Sequence, residues 1–99
     1  MADSIARRLE EYTIARSHEV LIVKAEIDGE FDEIAIFKGF SSSLVRSTAF
    51  DPDVPVLPEG AKIISIDRLY SPYNPTNPRY LQQGLSWETM RSLLSEAGV

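Results

Sequence analysis

All six prolines of the chain fall into two triplets of identical spacing, Pro52-x-x-Pro55-x-x-Pro58 and Pro72-x-x-Pro75-x-x-Pro78. Proline donates no backbone hydrogen bond, so neither stretch can run through the middle of a sheet. Polyproline II has three residues per turn, and prolines at this spacing stack on one edge of an extended rod. Each triplet is therefore expected to form a stiff strap of ~19 Å, at ~3.1 Å per residue. Val54 and Leu57 share a second edge of the first strap, while the other edges of the second carry Tyr73 and Thr76, then Asn74 and Asn77. The straps flank one strand-like run, Lys62–Tyr70, in which Ile64 and Ile66 alternate with Ser65 and Asp67. This layout points to a surface built for contact more than for chemistry.

Upstream of the prolines, the firmest local signal is a β-hairpin. The run His18–Ile27 is followed by Asp28-Gly29 and then Glu30–Phe40. Asp-Gly between β-rich runs marks a two-residue type I′ turn, because both central positions need positive φ. That turn places Ile27 against Glu30, Val23 against Ile34 and Leu21 against Ile36, giving one apolar face with Ala25. On the other face Lys24 opposes Glu33, an attractive cross-strand pair, beside Val20, Ile22, Ala35 and Phe37. A hairpin apolar on both sides at its base is expected to be covered on both. Gly39-Phe40-Ser41-Ser42-Ser43 breaks the second strand and reads as a polar turn, Leu44–Phe50 as a short irregular strand, and Glu59-Gly60 as a further turn.

The C-terminus carries the clearest helix. Ser86 suits the N-cap, with Leu85 and Met90 at the N′ and N4 positions of a hydrophobic staple. Glu88 lies in the first turn, where the helix dipole favours an anion. Trp87, Met90, Leu93, Leu94 and Ala97 keep helical spacing, and Gly98 suits C′. The N-terminus fits two patterns: Ile5, Leu9 and Tyr12 suit a helix, and Leu9–Ile14 also suits a strand. The expectation is a short frayed helix followed by a strand near Glu11–Ala15.

Ninety-nine residues make a single domain, 1–99, and the 43% hydrophobic and 25% charged shares argue against disorder. At 11.1 kDa, folding buries about two-thirds of the unfolded surface, enough to hold together without staples. The absence of cysteine excludes disulfides, thiolate chemistry and cysteine-based zinc sites. The opening Met1-Ala-Asp-Ser lacks the basic and apolar parts of a signal peptide, and the longest aliphatic run, Val20–Val23, is too short to span a bilayer. A cytoplasmic setting is expected. Fifteen carboxylates against ten basic groups, net −5, give no field for a polyanion, which disfavours nucleic acid.

Several of these segments together carry a resemblance. The run Glu33-Ile-Ala-Ile-Phe-Lys-Gly-Phe-Ser-Ser-Ser43, then Ala49-Phe-Asp-Pro-Asp-Val-Pro-Val-Leu-Pro58, Ala61-Lys-Ile-Ile-Ser-Ile-Asp-Arg68 and Gln83-Gly-Leu-Ser-Trp-Glu88, resembles a family of short cyanobacterial proteins with plastid counterparts. The likeness runs from about Leu9 to the C-terminus. That family is functionally uncharacterised, so the resemblance implies a cytoplasmic or stromal setting and supplies no catalytic residues or cofactor.

An inventory of reactive groups is short. His18 is the one histidine, and no neighbouring nucleophile or carboxylate forms a triad order with it, so it reads as a half-exposed strand-end residue. Ser41-Ser42-Ser43 follows a single glycine and lacks the lysine of a phosphate cradle. Asp51, Asp53 and Glu59 bring three carboxylates close together, yet the intervening prolines stiffen the segment against wrapping an ion. Asn74-Pro75-Thr76 is excluded as a glycosylation acceptor by its proline. Tyr70, Tyr73 and Tyr80 cluster around the second strap with Arg68 and Arg79, and tyrosine and arginine dominate interface hot spots.

The chain is thus expected to be an α+β domain. Its core would be a small bent antiparallel sheet of three to five strands, open or closing toward a barrel, with a C-terminal α-helix. Its expected role is a non-enzymatic interaction or assembly module whose partner is another protein, bound through Tyr70, Tyr73, Arg79 and Tyr80. No metal and no cofactor is implied. The alternative is a ligand-binding or enzymatic domain with a pocket between helix and sheet.

Overall fold

The computed structural model describes residues 5–27, 29–43, 61–74 and 76–99. Two helices, α1 (Ile5–Ala15) and α2 (Trp87–Glu96), accompany five strands: β1 (Glu19–Ile27), β2 (Glu30–Phe37), β3 (Phe40–Ser43), β4 (Lys62–Tyr70) and β5 (Tyr80–Leu85). The strands form one open antiparallel sheet in the order β3-β2-β1-β4-β5. This is a small α+β fold, with the expected C-terminal helix.

The hairpin has the expected register. Ile27 pairs with Glu30, Lys24 with Glu33, Val23 with Ile34 and Leu21 with Ile36. Gly29 has φ +81°, which a residue with a Cβ adopts at a cost; Asp28 lies outside the described residues. Side chains alternate across a strand, so Leu21, Val23, Ala25 and Ile27 of β1 share a face with Ile34 and Ile36 of β2. These residues form the main core with Leu9 and Tyr12 of α1 and with Met90 and Leu94 of α2. Both helices therefore cover the same side of the sheet. On the opposite side Val20, Ile22 and Leu69 are buried, with Ala35, Phe37 and Tyr73 packed against them. The base of the hairpin is covered on both faces, as its apolar pattern requires.

Helix α2 carries its designed ends. The Ser86 hydroxyl accepts the Thr89 N–H at 3.2 Å, and Leu85 and Met90 are both buried where a staple places them. At the other end Val99 N–H donates to the Leu94 carbonyl and Gly98 N–H to that of Ser95, each at 3.1 Å. With Gly98 at φ +78°, this is a Schellman closure.

Three expectations are corrected. The strand near Glu11–Ala15 is absent, because α1 runs unbroken to Ala15. Leu9, Tyr12 and Thr13 bury the i, i+3, i+4 stripe of a helix, while Ile14, whose apolarity favoured a strand, is 62% exposed. Ser41–Ser43 is an edge strand, not a turn: β2 ends at Phe37, Lys38-Gly39 makes the turn, and β3 returns with Phe40 opposite Phe37. The helix secures this return, since Gly39 N–H donates to Thr13 Oγ1 at 3.0 Å and Ser41 Oγ donates to Glu10 Oε2 at 2.7 Å.

The third correction concerns the second proline segment. A rod would hold its ends far apart, yet Tyr70 N–H donates to the Arg79 carbonyl at 2.9 Å. Asn77 N–H bonds the Asn74 carbonyl at 3.1 Å and Thr76 N–H bonds Asn74 Oδ1 at 3.0 Å, so the chain turns back on itself. Residues 71–74 and 76–79 lie in the loop of the β4–β5 hairpin, and the Ser71–Pro72 peptide is cis. The first proline segment, Leu44–Phe50 and Glu59-Gly60 lie outside the described residues. Within β4, Ile64 is bulged between the pairs Lys24–Ser65 and Ala25–Ile63, which leaves it 52% exposed.

Candidate functional site

Glu19 opens β1 on the same side as Leu21 and Val23, which commits a carboxylate to the helix-covered face. It is 2% exposed. A buried carboxylate needs partners, and three elements supply them. From α1, the Tyr12 hydroxyl donates to Glu19 Oε1 at 2.8 Å. From β4, Arg68 Nε donates to the same oxygen at 2.8 Å. Arg68 also donates through Nη1 to Gln82 Oε1 on β5, across the Arg68–Gln82 pair. His18 Nε2 stands 3.9 Å from Glu19 Oε2, with its imidazole largely in solvent.

The electrostatics follow from this packing. Burial pushes the Tyr12 hydroxyl up to about 12, helped by its hydrogen bond to Glu19 and by that carboxylate's charge, with Arg68 opposing. The hydrogen bond to Glu19 raises Arg68 above the ordinary arginine value, against the cost of burial. Tyr12 thus keeps its proton across the neutral range, and the near oxygen of Glu19 is taken by two donors. The cluster is a brace that ties α1, β1, β4 and β5 together at one end of the sheet.

That brace supports a surface. Tyr70 pairs with Glu19 across β1 and β4, and alternation puts it on the same face as Arg68. The Arg79 guanidinium lies over the Tyr70 ring, 5.6 Å from its centroid, a cation–π contact. Tyr80 follows Arg79 at the start of β5, opposite Leu69. Tyr70 and Tyr80 are each 42% exposed, and Arg79 is exposed as well. The sequence-derived group is therefore divided. Tyr70 and Arg79 meet at the root of the β4–β5 loop, while Tyr80, opposite Leu69, falls on the other face of the sheet, where Tyr73 is half-buried against Val20, Ile22 and Leu69.

The brace itself was not foreseen, although one signal was available. Glu19 falls in phase with the core-facing residues of its own strand, and a charge in that phase calls for a cation on a neighbour. The remaining candidates are placed plainly. His18 sits in the turn before β1, and Ser41 is bound to Glu10. Asp51, Asp53 and Glu59 lie outside the described residues, among which no group of three acidic or histidine side chains is arranged to hold a metal ion. Among the described residues no helix is long and apolar enough to cross a membrane.

No curated protein and no solved structure matches the chain. A family model does match, over residues 6–94, which takes in all five strands and all but the outermost residues of both helices. The chain belongs to that family, the domain of unknown function DUF7734.

Proposed function

We propose that the protein is a non-enzymatic interaction module that binds another protein through Tyr70, Arg79 and Tyr80. The observation that carries this reading is the cation–π contact between the Arg79 guanidinium and the exposed Tyr70 ring, with the equally exposed Tyr80 next in the chain. Tyrosine and arginine give large contact area and planar hydrogen bonding at low entropic cost. The surface is also held in advance. Glu19 and Arg68 lock the strand beneath Tyr70, and Tyr70 N–H to the Arg79 carbonyl closes the loop root. Docking then orders little that was loose. Tyr73 stays outside the binding group, because its ring packs on the sheet.

The setting that fits is a cyanobacterial cytoplasm or plastid stroma, supported by the likeness of segments such as Ala61–Arg68 and Gln83–Glu88 to proteins of that origin. The test is affinity capture from a cyanobacterial extract with the wild-type chain and a Tyr70→Ala, Arg79→Ala variant, read by mass spectrometry. A stoichiometric protein captured by the first and lost by the second is expected. Capture by both moves the binding surface elsewhere. A small molecule retained in place of a protein replaces this reading with ligand binding.

A further inference from the structure

We infer that the exposed Tyr70–Arg79 surface receives an acidic segment of its partner, an inference that rests on the interaction role proposed above. The chain carries fifteen carboxylates, yet the twenty residues 68–87 contain none, and they contain Arg68 and Arg79. The surface is built within that stretch. Arg79 has no carboxylate partner among the described residues; its guanidinium rests on Tyr70 instead. Arg16 likewise has none, and it lies in the turn whose neighbour His18 accepts the Ser71 N–H through its carbonyl at 2.9 Å. Glu19, opposite Tyr70 across β1 and β4, is buried and already shared by Arg68 and Tyr12. Residues 68–87 are therefore a cationic stretch in a chain of net charge −5.

The geometry suits a carboxylate. A guanidinium whose aromatic contact uses none of its N–H groups as donors to a carboxylate still has them to offer, and a carboxylate engages two of them in parallel. Gln82 and Gln83 add neutral amide groups on the adjoining strand, and no acidic side chain within 68–87 repels the ligand. All fifteen carboxylates lie outside that stretch, so the net-negative remainder of the chain disfavours the same acidic segment, and the charge pattern selects the docking position as much as it attracts. A nucleic acid is the weaker match. Its phosphates follow one another along the strand and would extend onto that net-negative remainder.

The test uses the full chain and three fluorescein-labelled probes, followed by anisotropy. These are a blocked peptide of alternating aspartate and glycine, its lysine counterpart, and an oligothymidylate. The aspartate peptide is expected to bind, the lysine peptide to fail, and Arg79→Gln to weaken the aspartate peptide about fivefold, with Arg91→Gln on α2 leaving it unchanged. Raising the salt should weaken it as well. No binding at millimolar aspartate peptide, equal losses in the Arg79 and Arg91 variants, or tighter binding of oligothymidylate would overturn the inference. The failures separate. If the captured protein depends on Tyr70 and Arg79 while the aspartate peptide ignores Arg79, only the acidic assignment falls. If the captured protein ignores both residues, the surface itself is wrong.

Discussion

Arg68 and Glu19 are 49 positions apart, and Arg68 Nε donates to Glu19 Oε1 at 2.8 Å across the β1–β4 pair. The Tyr12 hydroxyl shares that oxygen, also at 2.8 Å. Only 16% of the Arg68 side chain and 3% of that of Glu19 meet solvent, so two charges have been taken into the protein together. Such a pair adds little over a well-packed apolar one, but breaking it strands a charge.

Arg68→Met should therefore destabilise the fold by about 3 kcal/mol, through the uncompensated Glu19 carboxylate. Glu19→Gln should cost less, since the amide oxygen still accepts from Tyr12 and the partly exposed guanidinium recovers some hydration. The double variant should recover part of the Arg68→Met loss. Urea unfolding of the four proteins measures the coupling. Single losses that simply add would mean the two groups act independently.

Tyr12 gives the fold an alkaline limit. Its hydroxyl titrates near 10.0 when unperturbed and near 12 in the fold. Below pH 10 both states hold the proton and the contribution is intact. Between these values the unfolded chain loses its proton first, so stability falls as pH rises, by on the order of 2 kcal/mol in all. Tyr12→Phe lacks this titration. Its stability deficit relative to wild type should shrink as urea midpoints are measured from pH 9 upward, and a constant deficit would contradict the assignment.

The parts of the fold that were legible in advance are those set by local chemistry. Asp28-Gly29 and strict alternation fix the pairing of Val23 with Ile34, and the Ser86 cap with Leu85 and Met90 announces α2. Long-range choices were not legible. Ser41–Ser43 has weak strand character and becomes β3 because β2 offers it an edge and Glu10 a hydrogen bond. The spacing of Pro72, Pro75 and Pro78 says nothing of the pairing that brings Tyr70 to Arg79 and closes the segment into a loop. At the site, the tyrosines and arginine could be listed from composition. The brace beneath them joins four elements and exists only once they are folded together.

Gly39 tests the link between α1 and the β2–β3 turn. It has φ +85°, and a Cβ there would stand 2.9 Å from Ile14 Cδ1 and 3.0 Å from its Cγ1. Gly39→Ala should cost about 1–2 kcal/mol from the left-handed backbone, plus whatever Ile14 cannot relieve by moving its flexible end. Gly29→Ala, at φ +81° with nothing within 4 Å, should show the backbone part alone. Adding Ile14→Ala should narrow the gap between them in thermal unfolding. An unchanged gap would place the cost outside that contact.

The division of the tyrosines separates architecture from recognition. Tyr73 packs on Val20, Ile22 and Leu69, the cluster on the sheet face away from the helices, so Tyr73→Ala should lower stability by about 2 kcal/mol. The cost should stay below that of a fully enclosed aromatic, because the ring is only half-buried. Tyr70 and Arg79 are both exposed and contact each other, and removing both side chains leaves the Tyr70 N–H to Arg79 carbonyl bond in place. Tyr70→Ala, Arg79→Ala should therefore melt within a few degrees of wild type while losing the captured partner, whereas Tyr73→Ala should melt earlier and keep it below its transition. Calorimetry and capture on the same preparations decide the matter. If the Tyr70, Arg79 variant unfolds, those side chains hold the β4–β5 hairpin together and the surface is structural. If Tyr73→Ala stays folded and loses the partner, recognition lies on the opposite face of the sheet.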